Sequence, residues 1–166
     1  MRFHRITYPD VNNGIGCRVT LWVSGCTHHC KVCHNKETLS FNTGRVFNDE
    51  YKNKLFEIVS LPYIKGLTLS GGDPLCSPNE ILGLLKEYRL RFGNEKDVWL
   101  YTGFTMDEIL ANGWQDIISM VDYVVDGRFD KNLRDVTLPF RGSSNQQVYR
   151  ILDGGYINVS DVLFDT

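Results

Sequence analysis

The sequence lacks the features that mark secreted, membrane and nucleic-acid-binding proteins. It contains no apolar run long enough to span a bilayer, and residues 1–7 have no apolar segment of the kind a signal peptide requires. The formal net charge is only -2, which gives no electrostatic attraction to nucleic acid or to an anionic membrane surface. We therefore expect a cytoplasmic protein with no nucleic-acid partner and no membrane partner.

Internal repeats, low-complexity segments and linker-like stretches are also absent from the sequence. With 166 residues, the chain has the length of one ordinary globular domain, large enough to bury a sizeable core. We therefore expect residues 1–166 to form a single domain.

Cysteine is scarce and unevenly placed. Of the five cysteines, three lie within eight residues, and the full set is Cys17, Cys26, Cys30, Cys33 and Cys76. An odd number with three clustered does not suit a secreted disulfide scaffold, so a metal site in a reducing compartment fits better. The clustered three have the spacing C-x3-C-x2-C. Three thiolates can hold three corners of a four-iron cluster, which leaves the fourth iron open to chemistry.

Two other interpretations of the cysteine loop remain open at this point. A zinc site is possible, with His28, His29 or His34 as the fourth ligand. Structural zinc sites more often pair two separated halves, and the sequence has no second half. A redox disulfide between Cys30 and Cys33 would leave Cys26 without a role.

Strand and helix patterns alternate along the chain. Predicted strands cover residues 2–8, 18–23, 66–70, 98–101, 123–125 and 148–152, and helical patterns cover 49–60, 78–92 and a short segment after Thr105. This alternation predicts right-handed crossovers and an α/β fold. Five to six mostly parallel strands are too few to close an eight-stranded barrel, so we expect a partial, open TIM-like barrel. Its lateral mouth could admit a loop of another protein.

Several chemically distinctive segments follow directly after predicted strands. The cysteine loop follows residues 18–23, Gly71-Gly72-Asp73 follows residues 66–70, and Asp126 follows residues 123–125. Ligand sites of parallel α/β sheets form at this end of the strands. These segments are therefore expected at one edge of the sheet.

With these segments, the sequence resembles the radical S-adenosylmethionine enzymes, and more narrowly the activating enzymes of anaerobic (class III) ribonucleotide reductase. The resemblance runs in order from residue 11 to about residue 150 and rests on residues 16–26, 33–35, 71–75, 101–103, 126–129 and 141–146. It implies the radical SAM core fold. The cysteine motif is moderately specific by itself, and the ordered set is strongly so.

The resemblance implies two cofactors and a protein substrate. Cys26, Cys30 and Cys33 would bind a [4Fe-4S] cluster, and S-adenosyl-L-methionine would chelate its open iron. Reductive cleavage would give methionine and a 5′-deoxyadenosyl radical, which removes a hydrogen atom from a glycine of the large (catalytic) subunit of the reductase. Beyond the cluster and cofactor no catalytic residue is expected, since the cofactors carry the chemistry. A flavodoxin-type or other low-potential donor would supply the electron.

The same resemblance implies further cofactor-binding residues. The turn Gly71-Gly72-Asp73 would receive the methionine amine, and Asp126 would contact the ribose hydroxyls or, equally, cap the turn at Gly127. Ser143 and Asn145 belong to a dense polar segment that would contact the cofactor or the partner protein. Against each of these stands the simpler interpretation of an ordinary turn or polar loop.

One position departs from the pattern of the superfamily. The residue before the third cysteine is usually aromatic and lies near the adenine, whereas here it is Val32. Either His34 or a backbone contact would take that role, or the adenine would be packed less tightly.

Two alternative functions follow from the same residues. The first is an activase of another glycyl-radical enzyme, of the formate lyase type, although such chains are usually longer and the segment 142–146 argues against it. The second is a non-catalytic zinc or iron–sulfur binding module. Metal content distinguishes the second from an enzyme.

Overall fold

Eight strands form one open sheet in the computed structural model, which describes residues 1–162. The strands are β1 Arg2–Asp10, β2 Arg18–Val23, β3 Arg45–Val46, β4 Gly66–Gly71, β5 Asp97–Tyr101, β6 Tyr123–Asp126, β7 Gln147–Leu152 and β8 Gly155–Asn158. Their order is β3-β1-β2-β4-β5-β6-β7-β8, with β3 and β8 at the two edges. The predicted α/β class and open sheet are confirmed.

The number and direction of the strands differ from the prediction. β2, β4, β5 and β6 are parallel neighbours, but β1 and β3 on one side and β7 and β8 on the other pair antiparallel. The expected five to six mostly parallel strands are therefore wrong. The physical reason is that β7 returns beside β6 without a crossover helix, and only a crossover would bring it back parallel.

Four α-helices connect the strands. They are α1 Asp49–Val59, α2 Pro78–Phe92, α3 Met106–Ala111 and α4 Gln115–Ile118. Asn48 caps α1 by accepting the N–H of Tyr51, and Thr105 with Glu108 forms a reciprocal capping box at α3. The longest helix within residues 1–162 has 15 residues. No helix in this part of the chain is both long enough and apolar enough to cross a bilayer.

The two faces of the sheet differ in polarity because successive side chains of a strand point to opposite sides. On β2, Val19, Leu21 and Val23 join the main apolar core together with the helices. The alternating residues of β2 are polar or aromatic, and Arg18 among them is fully buried. Its guanidinium lies 2.6 Å from Asp97, which compensates the buried charge.

The buried carboxylate of Asp10 supports the loop between β1 and β2. Asp10 accepts hydrogen bonds from the Thr20 hydroxyl, the N–H of Asn12 and the side-chain amide of Asn13. Burial by itself would raise the pKa of Asp10, but these donors lower it on balance. Asp10 thereby fixes two asparagines that face the candidate site described next.

Candidate metal and cofactor site

A cavity of about 470 Å³ lies at the carboxyl ends of the four parallel strands. Its wall is built mainly from the loops that follow β2, β4, β5 and β6, which is where α/β sheets place their ligands. The connection before β2 contributes Asn12 and Asn13, and the loop after β6 reaches the cavity a second time through residues 140–142.

All three clustered cysteines, Cys26, Cys30 and Cys33, line this cavity and are half-buried free thiols. The backbone N–H of His28 points to Cys26 Sγ at 3.5 Å, and that of Asn35 points to Cys33 Sγ at 3.4 Å. Hydrogen bonds of this kind stabilise thiolate ligands and tune iron–sulfur clusters. Three thiols with two amide donors on one wall therefore fit a cluster with one iron left open.

The turn after β4 packs directly against the cysteine loop. Asp73 donates its N–H to the Gly25 carbonyl at 2.8 Å, and Gly25 donates to the Thr38 carbonyl at 2.7 Å. A Cβ on Gly72 would lie 2.5 Å from the first carbonyl oxygen and 2.7 Å from the second. Only glycine allows this approach, so Gly71 and Gly72 present backbone to the cavity that they line.

Asp73 lies just behind the cavity wall and is only 1% exposed. Its carboxylate accepts the N–H of Leu75, the N–H of Gly103 and the Thr102 hydroxyl. The same carboxylate lies 2.5 Å from His28 Nε2. Its two oxygens are thus engaged by residues from three loops.

His28 joins the cysteine loop to the loop after β5. Its ring packs edge-on against Phe104 with the centroids 4.4 Å apart. A Cβ on Gly103 would lie 2.5 Å from the same ring, so glycine is needed there. His28 is therefore held on two sides while its backbone donates to Cys26.

Asp126 is 4% exposed, and its neighbours Val125 and Gly127 line the cavity. Its carboxylate accepts the N–H of Met106 at 2.8 Å and that of Gln147 at 3.1 Å. Burial raises its pKa and these two donors oppose the rise. In this arrangement Asp126 joins the starts of α3 and β7 to the end of β6.

Ser143 and Asn145 lie in the loop that closes over residues 127–130. The buried Ser143 hydroxyl accepts the N–H of Asp130, and the Asn145 amide donates to the Arg128 carbonyl at 2.8 Å. Gln146 donates to the Gly127 carbonyl and accepts the N–H groups of residues 142 and 143. Gly142 and Gln146 of this loop line the cavity.

The thiols differ in pKa. The proximity of the Cys26 and Cys76 thiols raises the pKa of Cys26 and lowers that of Cys76. Burial raises the pKa of Cys30, as does the neighbouring Cys33, and the charge of Arg128 opposes them.

Two arginines, Arg128 and Arg141, line the cavity, and no described lining residue carries a carboxylate. Their charges are partly compensated from outside the wall, by Glu108 at 3.3 Å from Arg128 and by Asp161 at 3.8 Å from Arg141. The Arg141 side chain is 6% exposed and donates to the carbonyls of Gln146 and Ser160. Such a wall favours a ligand with an anionic group.

Val32 lines the cavity and is 41% exposed, and near it the wall carries a pair of rings. His34 and Phe129 both line the cavity, with their centroids 4.6 Å apart in an edge-to-face arrangement. An aromatic surface is thus available although position 32 is aliphatic.

Sequence reasoning missed four residues that organise this site. Thr102 and His28 bind Asp73, Cys76 lies beside Cys26, and the Asn35 side chain donates to the Gly71 carbonyl at 3.4 Å. Asn35 and Thr102 each fall within a stretch that carried the family resemblance. Nothing local in the sequence signals the position of Cys76.

Comparison with known proteins agrees with the cysteine chemistry. The profile of a family described as a 4Fe-4S single cluster domain matches residues 12–149, which confirms the prediction of an iron–sulfur cofactor. The predicted ligands within that range remain to be tested individually.

Curated relatives cover nearly the whole chain. A protein of Enterobacteria phage T4 is 40% identical over 156 residues, or 93% of this chain and 97% of its own length. Proteins of Escherichia coli (strain K12) and Pasteurella multocida are 39% and 41% identical, over 91% and 86% of this chain and 99% and 94% of their own lengths. All three are named anaerobic ribonucleoside-triphosphate reductase-activating protein. The chain therefore belongs to the family of anaerobic ribonucleoside-triphosphate reductase-activating proteins.

Proposed function

We propose that this protein is a radical S-adenosylmethionine activase that generates a glycyl radical on the large subunit of anaerobic ribonucleoside-triphosphate reductase. One observation carries the proposal: the three thiols of the C-x3-C-x2-C motif and the Gly71-Gly72 turn lie on the wall of one cavity. The names of the relatives supply the target.

Cys26, Cys30 and Cys33 would hold a [4Fe-4S] cluster through their thiolates. When bound, the cluster would supply the electron for reductive cleavage of S-adenosylmethionine, the chemistry that removes a hydrogen atom from glycine. The protein residues orient these groups and exclude water, as is general for cofactor enzymes.

The remaining residues divide into those that contact the cofactor and those that position them. We assign Gly71 and Gly72 to direct contact, through backbone groups that face the cavity. Asp73 is engaged by other residues, so its role is to hold the cysteine loop against this turn. Asp126, and Ser143 with Asn145, would act similarly by fixing residues 127–129 at the wall.

We assign the adenine to the rings of His34 and Phe129. Both line the cavity, whereas the residue before the third cysteine, Val32, offers no ring. Stacking on an aromatic ring contributes about 0.5–1.5 kcal/mol beyond the burial of area. The cationic charge of Arg128 and Arg141 suits the carboxylate of the methionine moiety.

The open sheet supports the further proposal that the chain is a single radical SAM domain with a partial barrel. One main apolar core extends from Phe3 in β1 to Val124 in β6. Because the sheet ends at β3 and β8 and does not close, a protein loop can approach the cavity from the side. The electron donor we propose is a flavodoxin-type or other low-potential protein, in the cytoplasm.

The test is a glycyl-radical electron paramagnetic resonance assay under anaerobic conditions. The reconstituted and reduced protein is mixed with S-adenosylmethionine and the reductase large subunit. We expect the glycyl signal together with one 5′-deoxyadenosine for each radical formed. If 5′-deoxyadenosine accumulates and no radical forms, the assignment of the substrate fails.

Two control reactions sharpen the assay. Formate lyase replaces the reductase in the first, and a radical on that enzyme alone would reassign the activase. Cys17→Ser replaces the wild type in the second, because Cys17 packs against the core outside the cavity. This variant should give the full signal. Failure of the wild-type protein to take up iron and sulfide on anaerobic reconstitution would contradict the enzyme.

A further inference from the structure

A second set of metal-binding side chains lies next to the cysteine motif. His28 offers a ring nitrogen, Asp73 a carboxylate oxygen and Cys76 a thiol, and these donor atoms all lie within 4.8 Å of one another. They come from three places in the chain: the cysteine loop, the turn after β4 and the short helical turn that follows it. The function proposed above gives Cys76 no role.

One nitrogen, one oxygen and one sulfur donor make a set that zinc binds in tetrahedral geometry, with a solvent molecule as the fourth ligand. Zinc–ligand bonds of about 2.0–2.3 Å place tetrahedral donors roughly 3.3–3.8 Å apart. His28 and Asp73, now 2.5 Å apart, would separate slightly to admit the ion, and the Cys76 thiol lies within 4.8 Å of both.

The surroundings suit a metal ion. The side chains of His28 and Asp73 are only 4% and 1% exposed, so these two donors are already ordered and shielded from water. Asp73 would keep its bonds from Leu75 N–H and Gly103 N–H while one oxygen turns to the ion. Such outer hydrogen bonds orient metal ligands and raise affinity.

We propose that the cluster-free protein binds zinc through His28, Asp73 and Cys76. None of these residues belongs to the three motif cysteines, so the inference does not depend on the proposed function. Zinc would bind the thiolate of Cys76 and the unprotonated ring nitrogen of His28, and any proton that these ligands lose passes to solvent, with no change of oxidation state.

Cobalt(II) is the probe for the donor set, since its visible absorption reports tetrahedral geometry and its near-ultraviolet band reports bound thiolates. The background is the full chain with Cys26→Ser, Cys30→Ser and Cys33→Ser, which removes the three predicted cluster ligands and leaves Cys76. We expect a tetrahedral spectrum with the intensity of one thiolate, abolished by equimolar zinc.

Adding Cys76→Ser to this background should remove the thiolate band and weaken cobalt binding by at least about tenfold, the lower limit known even for outer-shell changes. Adding Cys17→Ser instead should change neither quantity. Cys76→Ala serves as a second variant, and circular dichroism checks that each protein is folded. An unchanged cobalt spectrum after loss of Cys76 would overturn the proposed site.

Discussion

His28 Nε2 lies 2.5 Å from Asp73 Oδ2, and the two side chains are 4% and 1% exposed. Because both side chains are buried, water cannot readily replace either of them in this hydrogen bond. Removing one side chain therefore leaves the other without its hydrogen-bond partner. This contact joins the loop between the first two motif cysteines to the turn that bounds the cofactor cavity. It is the first feature we would test.

A double-mutant cycle measures this contact in the cluster-free protein. His28→Gln and Asp73→Asn should each lower the free energy of unfolding by about 1–3 kcal/mol. The double variant should lose less than the sum, with a coupling of about 1–2 kcal/mol from urea denaturation. The exposed pair Arg128 and Glu108 is the control, with an expected coupling below about 1 kcal/mol. Additive losses at His28 and Asp73 would show that the pair does not interact.

Metal analysis tests the cluster ligands. Serine at position 26, 30 or 33 should reduce the iron and sulfide content severely, since each variant lacks one thiolate. Wild type and Cys17→Ser should each bind about four irons and four sulfides per chain. Full iron content in any of the three motif variants would remove that residue from the ligand set.

Alanine at position 72 should disrupt the contact between the turn after β4 and the cysteine loop. Its Cβ would meet two carbonyl oxygens, at 2.5 Å and 2.7 Å, and neither can move freely. We expect a loss of at least about 2 kcal/mol in stability, together with poor cluster retention. Gly83→Ala is the matched control, because α2 leaves open space there and should gain about 0.5–1 kcal/mol. Equal unfolding midpoints for the two variants would contradict the packing described.

The effect of Asp10→Asn should depend on pH. The folded protein lowers the pKa of Asp10, so its charge stabilises the fold above about pH 4, where an unfolded aspartate ionises. That contribution is lost as the pH falls through the lowered folded pKa. We expect a deficit of about 1–3 kcal/mol at pH 7 that narrows in acid, as measured by urea denaturation across that range. If the loss in unfolding free energy were the same at every pH, the charge of Asp10 would not be its cause, and altered packing or hydrogen bonding would be.

Binding of S-adenosylmethionine should depend on Phe129. Removing the ring in Phe129→Ala should raise Kd by about tenfold, equivalent to about 1.4 kcal/mol, as measured by equilibrium dialysis with the reconstituted protein. Tyr63→Ala, at an exposed ring outside the cavity, should leave Kd unchanged. Unaltered affinity in the Phe129 variant would place the adenine elsewhere.

The central strands and helices were predictable because their residues carry strong local patterns. The prediction for residues 18–23 has the bounds of β2, and the predicted helix over 49–60 starts at the same residue as α1. β3 was not predicted, because two exposed residues leave no periodic pattern. β8 was not predicted either, although the sequence contains a signal for it. The dipeptide Asp153-Gly154, which joins β7 to β8, is typical of hairpin turns.

The cysteine wall of the site was predictable from spacing and position alone, whereas the partners of its buried polar groups were not. The sequence places Asp73 and Asp126 at strand ends, and that is where they lie. It does not indicate that backbone N–H groups and neighbouring side chains would engage their carboxylates. Such pairing depends on how separate loops pack, and Cys76 beside Cys26 is a further example.

Asp126 has a consequence for how this fold can diversify. The excursion between β6 and β7 leaves the sheet at Asp126 and rejoins it at Gln147, and the Asp126 side chain accepts the N–H of that returning residue. This segment is thus held at its base by one side chain. Evolution can alter the length and surface of residues 131–139, which lie outside the cavity wall, to suit a new partner protein without disturbing the strands that carry the cysteines.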